Sequence, residues 1–167
     1  MFRIGTGFDV HRFDADGGES AQNRHIVLAG VEIPHSHSLL AHSDGDVLVH
    51  ALCDALLGAL ALGDIGQHFP DTDPQYRAIS SLLLLEKVYA LVTKAGWGLQ
   101  NADITVIAQA PKLAPFQLRM RQSLADTLQV AVESISIKAT TTEGLGFTGR
   151  GEGIAVQAQV LIQEQQA

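Results

Sequence analysis

The chain has 167 residues, a formal net charge of −7, 46% apolar residues and only 17% charged ones. That length fits one domain whose core buries about two thirds of the unfolded surface, and the apolar content excludes intrinsic disorder. The acidic balance and the 5% aromatic content exclude a nucleic-acid surface built on phosphate neutralisation and base stacking, while the single Cys53 excludes an intramolecular disulfide or a multi-cysteine zinc site.

In chain order, residues 1–11 read as an opening strand, entered with no signal- or transit-peptide pattern. The expected location is therefore a reducing cytoplasm, and no apolar run approaches the roughly 18 residues of a membrane span. Residues 13–24 are polar and read as a loop. Residues 25–28 and 31–33 flank Ala29-Gly30, a hairpin signal. A histidine-rich loop over 34–43 precedes apolar residues at helical spacing over 46–62, with Asp44 or Asp46 available as the cap. Residues 63–76 read as a loop. A second helix runs from Ser80 or Ser81 to Lys94 and stops at Gly96. A strand is expected over 99–108, a helix over 115–128, a strand over 134–139, a glycine-rich loop over 140–153 and a closing strand over 154–162. Strands and helices alternate without a repeat or a linker. The expected architecture is α+β, a mixed sheet with helices packed on one face, in a single domain spanning 1–167.

Asp9 and His11 sit two residues apart and share one strand face, so a carboxylate and an imidazole can aim at one point. His50, on the first helix, could supply a third ligand, which is the donor number of a catalytic zinc site. Asp54, one helical turn on, could accept the other ring N–H of His50. Spacing alone leaves alternatives open: each residue could be a satisfied polar group at an element end, and His35, His37 and His42 cluster in a loop that could itself bind metal.

The segment 140–153 contains Gly144, Gly146 and Gly149 at G-x-G-x-x-G spacing. A dinucleotide site needs a strand–helix–strand unit around that motif, and here a strand pattern follows. Hydroxyls, Arg150 and free backbone suit phosphates instead, and Glu143 beside three threonines could hold a hard cation. Asp64, Asp71 and Asp73 lie in one loop and could accept sugar hydroxyls. The turn after the 99–108 strand offers backbone groups. Solvated loops, hairpin turns and plain caps account for each of these stretches equally well.

Together, GFDVHRF, LLAHSDGDVLVHAL, GDIGQHFPDTDP, ITVIAQAPKL and KATTTEGLGFTGRGEGIA closely resemble the 2-C-methyl-D-erythritol 2,4-cyclodiphosphate synthase family from about residue 3 to about residue 161. The resemblance implies a homotrimer with active sites at subunit interfaces. It also implies conversion of 4-diphosphocytidyl-2-C-methyl-D-erythritol 2-phosphate into the cyclic diphosphate with release of CMP, a step of non-mevalonate isoprenoid synthesis. By motif, Asp9, His11 and His50 match the zinc ligands, and Glu143 matches the ligand of a second cation, Mg²⁺ or Mn²⁺. His42 and Thr141 match positions that stabilise the transition state. Ser43, with His42, matches contacts to the methylerythritol phosphate. Asp64, Ile65 and Gly66, then Phe69, Pro70, Asp71, Thr72 and Asp73, match segments around the sugar and erythritol hydroxyls. Ala108, Gln109, Ala110, Pro111, Lys112, Leu113 and Ala114 match a cytosine pocket read largely by backbone. Thr140 and Thr142 flank the matched Thr141. Phe147 and Arg150 match residues near the phosphates and a central channel that can hold an isoprenoid diphosphate. Two rival functions use the same residues: a metal-dependent nucleoside-diphosphate hydrolase, and a non-enzymatic trimer that binds isoprenoid diphosphates.

Overall fold

A computed structural model of the protein describes residues 1–14, 24–41, 44–70 and 79–165. Its main sheet has four strands: β1 (Phe2–Arg12), β4 (Trp97–Ile107), β5 (Ile135–Thr140) and β6 (Gly153–Glu164). They lie in the order β1-β6-β4-β5. The pairs β1·β6 and β4·β6 are antiparallel and β4·β5 is parallel, so the sheet is mixed as expected. The parallel pair requires a crossover, which α4 (Gln117–Leu128) supplies. Helices α1 (Val47–Ala59) and α3 (Ser81–Lys94) complete the layer.

Alternation decides which face is covered. Ile154, Val156, Ala158, Val160 and Ile162 of β6 are buried. In register with them lie Gly5 and Gly7 of β1 and Ala102, Ile104 and Val106 of β4. All of these face the helices. The opposite face carries Phe2, Ile4 and Phe8, exposed at 59%, 80% and 57%. Among the described residues, helices therefore pack on one face only, and the other is open.

Hairpin strands β2 (His25–Leu28) and β3 (Val31–Pro34) form a separate two-stranded sheet. Ala29 and Gly30 both have positive φ, the two-residue turn that matches strand twist. Asp46 ties this hairpin to α1. Its buried carboxylate accepts from the backbone N–H groups of Ala29 (3.0 Å) and Gly30 (2.7 Å), and it caps α1 by accepting from Val49 N (3.1 Å). Burial pushes the Asp46 carboxyl up to about 6, although those donors favour its charged form.

Three expected boundaries change. Helix α1 ends at Ala59, short of residue 62, because Ala61 turns left-handed and the N–H groups of Ala61 and Leu62 close on the carbonyls of Gly58 and Leu57. The loop expected over 63–76 contains a one-turn helix, α2 (Ile65–His68), capped by Asp64. The glycine-rich loop contains another, α5 (Gly146–Gly149). Both are too short to leave a 3.6-residue period. Among the described residues no helix is long and apolar enough to cross a membrane.

Helix α1 lies unusually close to β1. A Cβ at Gly5 would stand 1.8 Å from Ala55 O, and one at Gly7 would stand 1.9 Å from Ala51 O. No side-chain rotation relieves a clash with helix backbone, so Gly7→Ala should cost more than about 3 kcal/mol or prevent folding, as overpacking a rigid core does. Urea unfolding checks this, and a loss under about 1 kcal/mol would contradict the packing.

Candidate metal centre and its surroundings

Asp9 and His11 lie on the helix-facing side of β1, near its C-terminal end, in register with Val156 and Ile154. His50 stands in the first turn of α1. Because α1 rests directly on β1, the three side chains converge. Asp9 Oδ2 is 3.2 Å from His11 Nε2 and 3.2 Å from His50 Nδ1. The three donor atoms lie within 4.8 Å of one another. Their side chains retain 28%, 14% and 15% exposure, so the centre is partly shielded and still reachable.

Two imidazole nitrogens and one carboxylate oxygen suit a borderline divalent cation such as zinc, with a fourth position left for substrate. The ring orientation of His11 agrees. Its Nδ1 is 3.1 Å from the carbonyl of Gly45, which can only accept. Nδ1 therefore carries a proton, and Nε2, 3.2 Å from Asp9 Oδ2, is the nitrogen presented to a cation. Gly45 adopts φ +74°, a conformation that presents this carbonyl and that side-chain-bearing residues rarely take.

The expected role of Asp54 is corrected. Its carboxylate accepts from the backbone N–H of Ile65 at 2.8 Å and so receives the start of α2. The group on His50 Nε2 is Ser81 Oγ, at 3.1 Å, from the N-terminus of α3. Helical spacing put Asp54 on the right face, but a backbone donor arriving from residue 65 claimed it. Neither Ser81 nor Gly45 was legible from spacing. Ser81 lies thirty-one positions from His50, and Gly45 acts through its backbone.

The other expected site residues form a second group. Ala108–Ala114 follows β4, and Thr140–Glu143 ends β5. Since β4 and β5 are parallel, these ends meet, and Ala108 N donates to Thr140 O at 3.0 Å. Lys112 is exposed, whereas Leu113 is 3% exposed and turns its side chain into the core. Thr141 Oγ1 donates to Glu143 Oε1 at 2.8 Å. The hydroxyl of Thr142 is spent within the loop, donating to Leu145 O at 2.6 Å. Phe147 is 38% exposed, and Arg150 Nε donates to Glu152 Oε1 at 2.6 Å. Asp64, Ile65, Gly66, Phe69 and Pro70 lie around α2, beside α1 and hence near the triad. His42, Ser43, Asp71, Thr72 and Asp73 lie outside the described residues.

The two groups share one end of the sheet but not one edge. Asp9 aligns with Val156, Val106 and Ala139 across β1, β6, β4 and β5. Three strand spacings, roughly 14 Å, separate the triad's edge from that of Thr141 and Glu143.

The sequence profile of the YgbB family matches residues 2–163. The chain belongs to that family. It is 63% identical over 163 residues to the 2-C-methyl-D-erythritol 2,4-cyclodiphosphate synthase of Alcanivorax borkumensis, covering 98% of each chain. It is 61% identical over 160 residues to the protein of the same name in Azotobacter vinelandii, covering 96% of this chain and 98% of that one. A bifunctional IspDF of Campylobacter jejuni superposes with a TM-score of 0.90 at 47% identity, over 98% of this chain and 42% of that longer one. An IspF of Plasmodium falciparum, solved as a CDP complex, superposes with a TM-score of 0.83 at 31% identity, over 99% of this chain and 97% of that one.

Charge and protons are coupled in this YgbB-family centre. Burial opposes ionisation of Asp9, but the hydrogen bonds with His11 and His50 prevail and hold the carboxyl well below its ordinary range. Burial likewise opposes protonation of His11, and Asp9 overrides it, raising the imidazole above the ordinary 6.5. A lowered carboxyl stabilises the fold above its ordinary 3.8 and loses that contribution as pH falls through the folded value. A raised imidazole contributes fully below 6.5 and fades as pH rises through its folded value. Divalent-metal binding must expel the His11 proton. Zn²⁺ titrated into metal-free protein should therefore bind about tenfold more tightly per pH unit until the His11 value is passed, then level off. A flat affinity between about pH 6 and pH 8 would contradict this coupling.

Proposed function

We propose that this chain is a 2-C-methyl-D-erythritol 2,4-cyclodiphosphate synthase, a CMP-releasing lyase of non-mevalonate isoprenoid synthesis, folded as one domain over 1–167 and working in the cytoplasm. The observation that carries the reading is the Asp9–His11–His50 donor cluster, formed at the end of β1 in a chain of this family. The substrate is 4-diphosphocytidyl-2-C-methyl-D-erythritol 2-phosphate. An oxygen of its 2-phosphate bonds to the β-phosphorus, the bond from that phosphorus to the CMP oxygen breaks, and CMP leaves with the electron pair. The nucleophile is already an anion, so the barrier is charge repulsion and positioning, and no strong general base is needed. Asp9, His11 and His50 would hold Zn²⁺, and Glu143 would hold Mg²⁺ or Mn²⁺; bound there, these cations supply Lewis acidity and neutralise the diphosphate.

The chain's own residues do the rest. The segment 108–114 holds the cytosine, mainly by backbone, because Leu113 turns inward. Lys112 adds positive charge near the phosphates. Ser43 and His42 hold the methylerythritol phosphate, and His42 with Thr141 stabilises charge on the reacting phosphorus. Asp64, Ile65, Gly66 and the segment 69–73 receive hydroxyl groups, with Thr140 and Thr142 shaping the loop behind Thr141. Fixing both ends of one flexible molecule supplies proximity.

A homotrimer completes this site. One diphosphate is far shorter than the roughly 14 Å between the sheet edges that carry the triad and Glu143, so the two sets can meet on it only if neighbouring protomers contribute one edge each. The open sheet face, with Phe2, Ile4 and Phe8, supports such an assembly. Phe147 and Arg150 would then stand at its central channel, where an isoprenoid diphosphate can bind.

Phosphorus NMR of the reaction mixture tests the reading directly. Cyclic diphosphate plus CMP is expected. Linear methylerythritol bisphosphate plus CMP would mean a hydrolase, and ligand binding without CMP release would mean a non-enzymatic binding protein. His50→Ala should lower turnover at least about a thousandfold, as loss of a catalytic cation does, while leaving a folded trimer by light scattering. An active, zinc-free variant would overturn the ligand set.

A further inference from the structure

His50 can act as a donor only if its ring is held in one orientation, and its Nε2 edge meets Ser81 Oγ at 3.1 Å. We propose that Asp44 and Ser81 form a positioning pair that holds His50 through Nε2 and fixes the tautomer that presents Nδ1, the nitrogen facing Asp9, to a metal. This rests on the assignment of Asp9, His11 and His50 as ligands.

The polarity of the contacts is forced. The Asp44 carboxylate has only acceptors. Its Oδ2 receives the backbone N–H of Ser81 at 2.9 Å, and its Oδ1 receives the Ser81 hydroxyl and, at 3.3 Å, the backbone N–H of Asp46. The Ser81 hydroxyl has one proton. Once that proton is given to Asp44, Oγ can only accept from His50 Nε2, 3.1 Å away. Nε2 therefore carries a ring proton, and Nδ1, 3.2 Å from Asp9 Oδ2, is the nitrogen that a cation can take. Ser81 is fully buried, so water does not compete for the chain of bonds. The neighbouring Gly45 carbonyl does the same for His11 Nδ1. One turn, residues 44–46, thus orients both imidazoles, and buried Asp46 fixes that turn to the β2–β3 hairpin. Partners of ligating histidines commonly contribute ten- to hundredfold in metal affinity.

Asp44→Asn separates polarity from packing, because it keeps the shape and removes one acceptor. If its NH2 faces the Ser81 backbone N–H, two donors oppose each other at 2.9 Å. If it faces Oγ, it donates there and sends the hydroxyl proton toward His50 Nε2, which reverses the tautomer. Ser81→Ala removes the link outright. Once the hydroxyl is gone, an amide at 44 has no tautomer left to reverse, so the two changes should not compound.

The experiment measures Zn²⁺ affinity by chelator competition on purified metal-free full-length chain. Wild type, Asp44→Asn, Ser81→Ala, the double variant and His50→Ala are compared, with Co²⁺ absorption reporting coordination. Asp44→Asn and Ser81→Ala should each bind about ten- to hundredfold more weakly with an altered Co²⁺ spectrum, and the double variant no more weakly than the worse single one. Asp44→Asn within about twofold of wild type, or two losses that multiply, would overturn the pair. If Ser81→Ala does not fold, Asp44→Asn decides alone. Weak binding by His50→Ala with normal binding by Asp44→Asn removes the positioning role and leaves the ligand set intact. Wild type binding no better than His50→Ala removes the ligand set and the pair with it.

Discussion

The site depends on how closely α1 approaches β1. Gly5 and Gly7 face the helix, and their missing side chains let the carbonyls of Ala55 and Ala51 rest where Cβ atoms would otherwise be. Ten residues of α1 are buried, from Val47 to Ala59, so the helix is gripped on nearly every side. Asp46 locks its first turn to the hairpin. His50 is therefore held by packed backbone and not by a long flexible reach. Asp9 and His11 continue the same strand by steps of two, so the glycines and the two candidate ligands share one face. A helix displaced outward by a methyl group's width would carry His50 away from both. Metal-site geometry and core packing are, in this protein, one constraint.

That constraint explains which parts were legible in the sequence. Alternation located β5 and β6 to within two residues, and the Asp9–His11 pair followed from the period of a strand. His50 was readable as a ligand candidate on its helix, but its meeting with Asp9 depends on α1 crossing β1. The only local sign of that crossing is the pair of glycines inside an apolar strand, a pattern that marks close backbone approach. Asp54 was misplaced because helical periodicity says which face a residue occupies and not which donor will reach it first. Ser81 and Asp44 meet His50 through the long-range docking of α3, which no window of sequence contains. The short helices α2 and α5 are single turns, and such segments have no period to read. The joining of 108–114 with 140–143 follows from parallel pairing, which is a property of topology.

The open sheet face bears on the composition. A single chain with 17% charged residues exposes large apolar side chains along β1, and isolated soluble domains seldom leave such a row uncovered. The same face also carries Gln157, Gln159 and the Lys138–Asp103 ion pair. A mixed surface of this kind resembles an interface with a wet centre more than a dry core. The proposed trimer would cover it and spare the chain the usual charge density, because fewer positions would meet water.

The net charge of −7 remains at odds with a substrate that carries a diphosphate and a phosphate. The long-range field repels it, so any attraction has to be local. The triad is suited to this. Without metal it carries one carboxylate charge shared with His11; with a divalent cation the same atoms become net positive. Loading the centre inverts the local field, which the rest of the surface cannot do. At physiological ionic strength the unfavourable far field is screened within about 8 Å, while the partly buried triad is screened less. Arg150 contributes little to that inversion while it is paired with Glu152; Lys112, exposed beside the turn after β4, is the better placed cation. The protein thus has no need of a basic surface. A cation held at the candidate centre would supply the anion affinity, and that affinity would be only as good as the hydrogen bonds that aim two imidazoles at it.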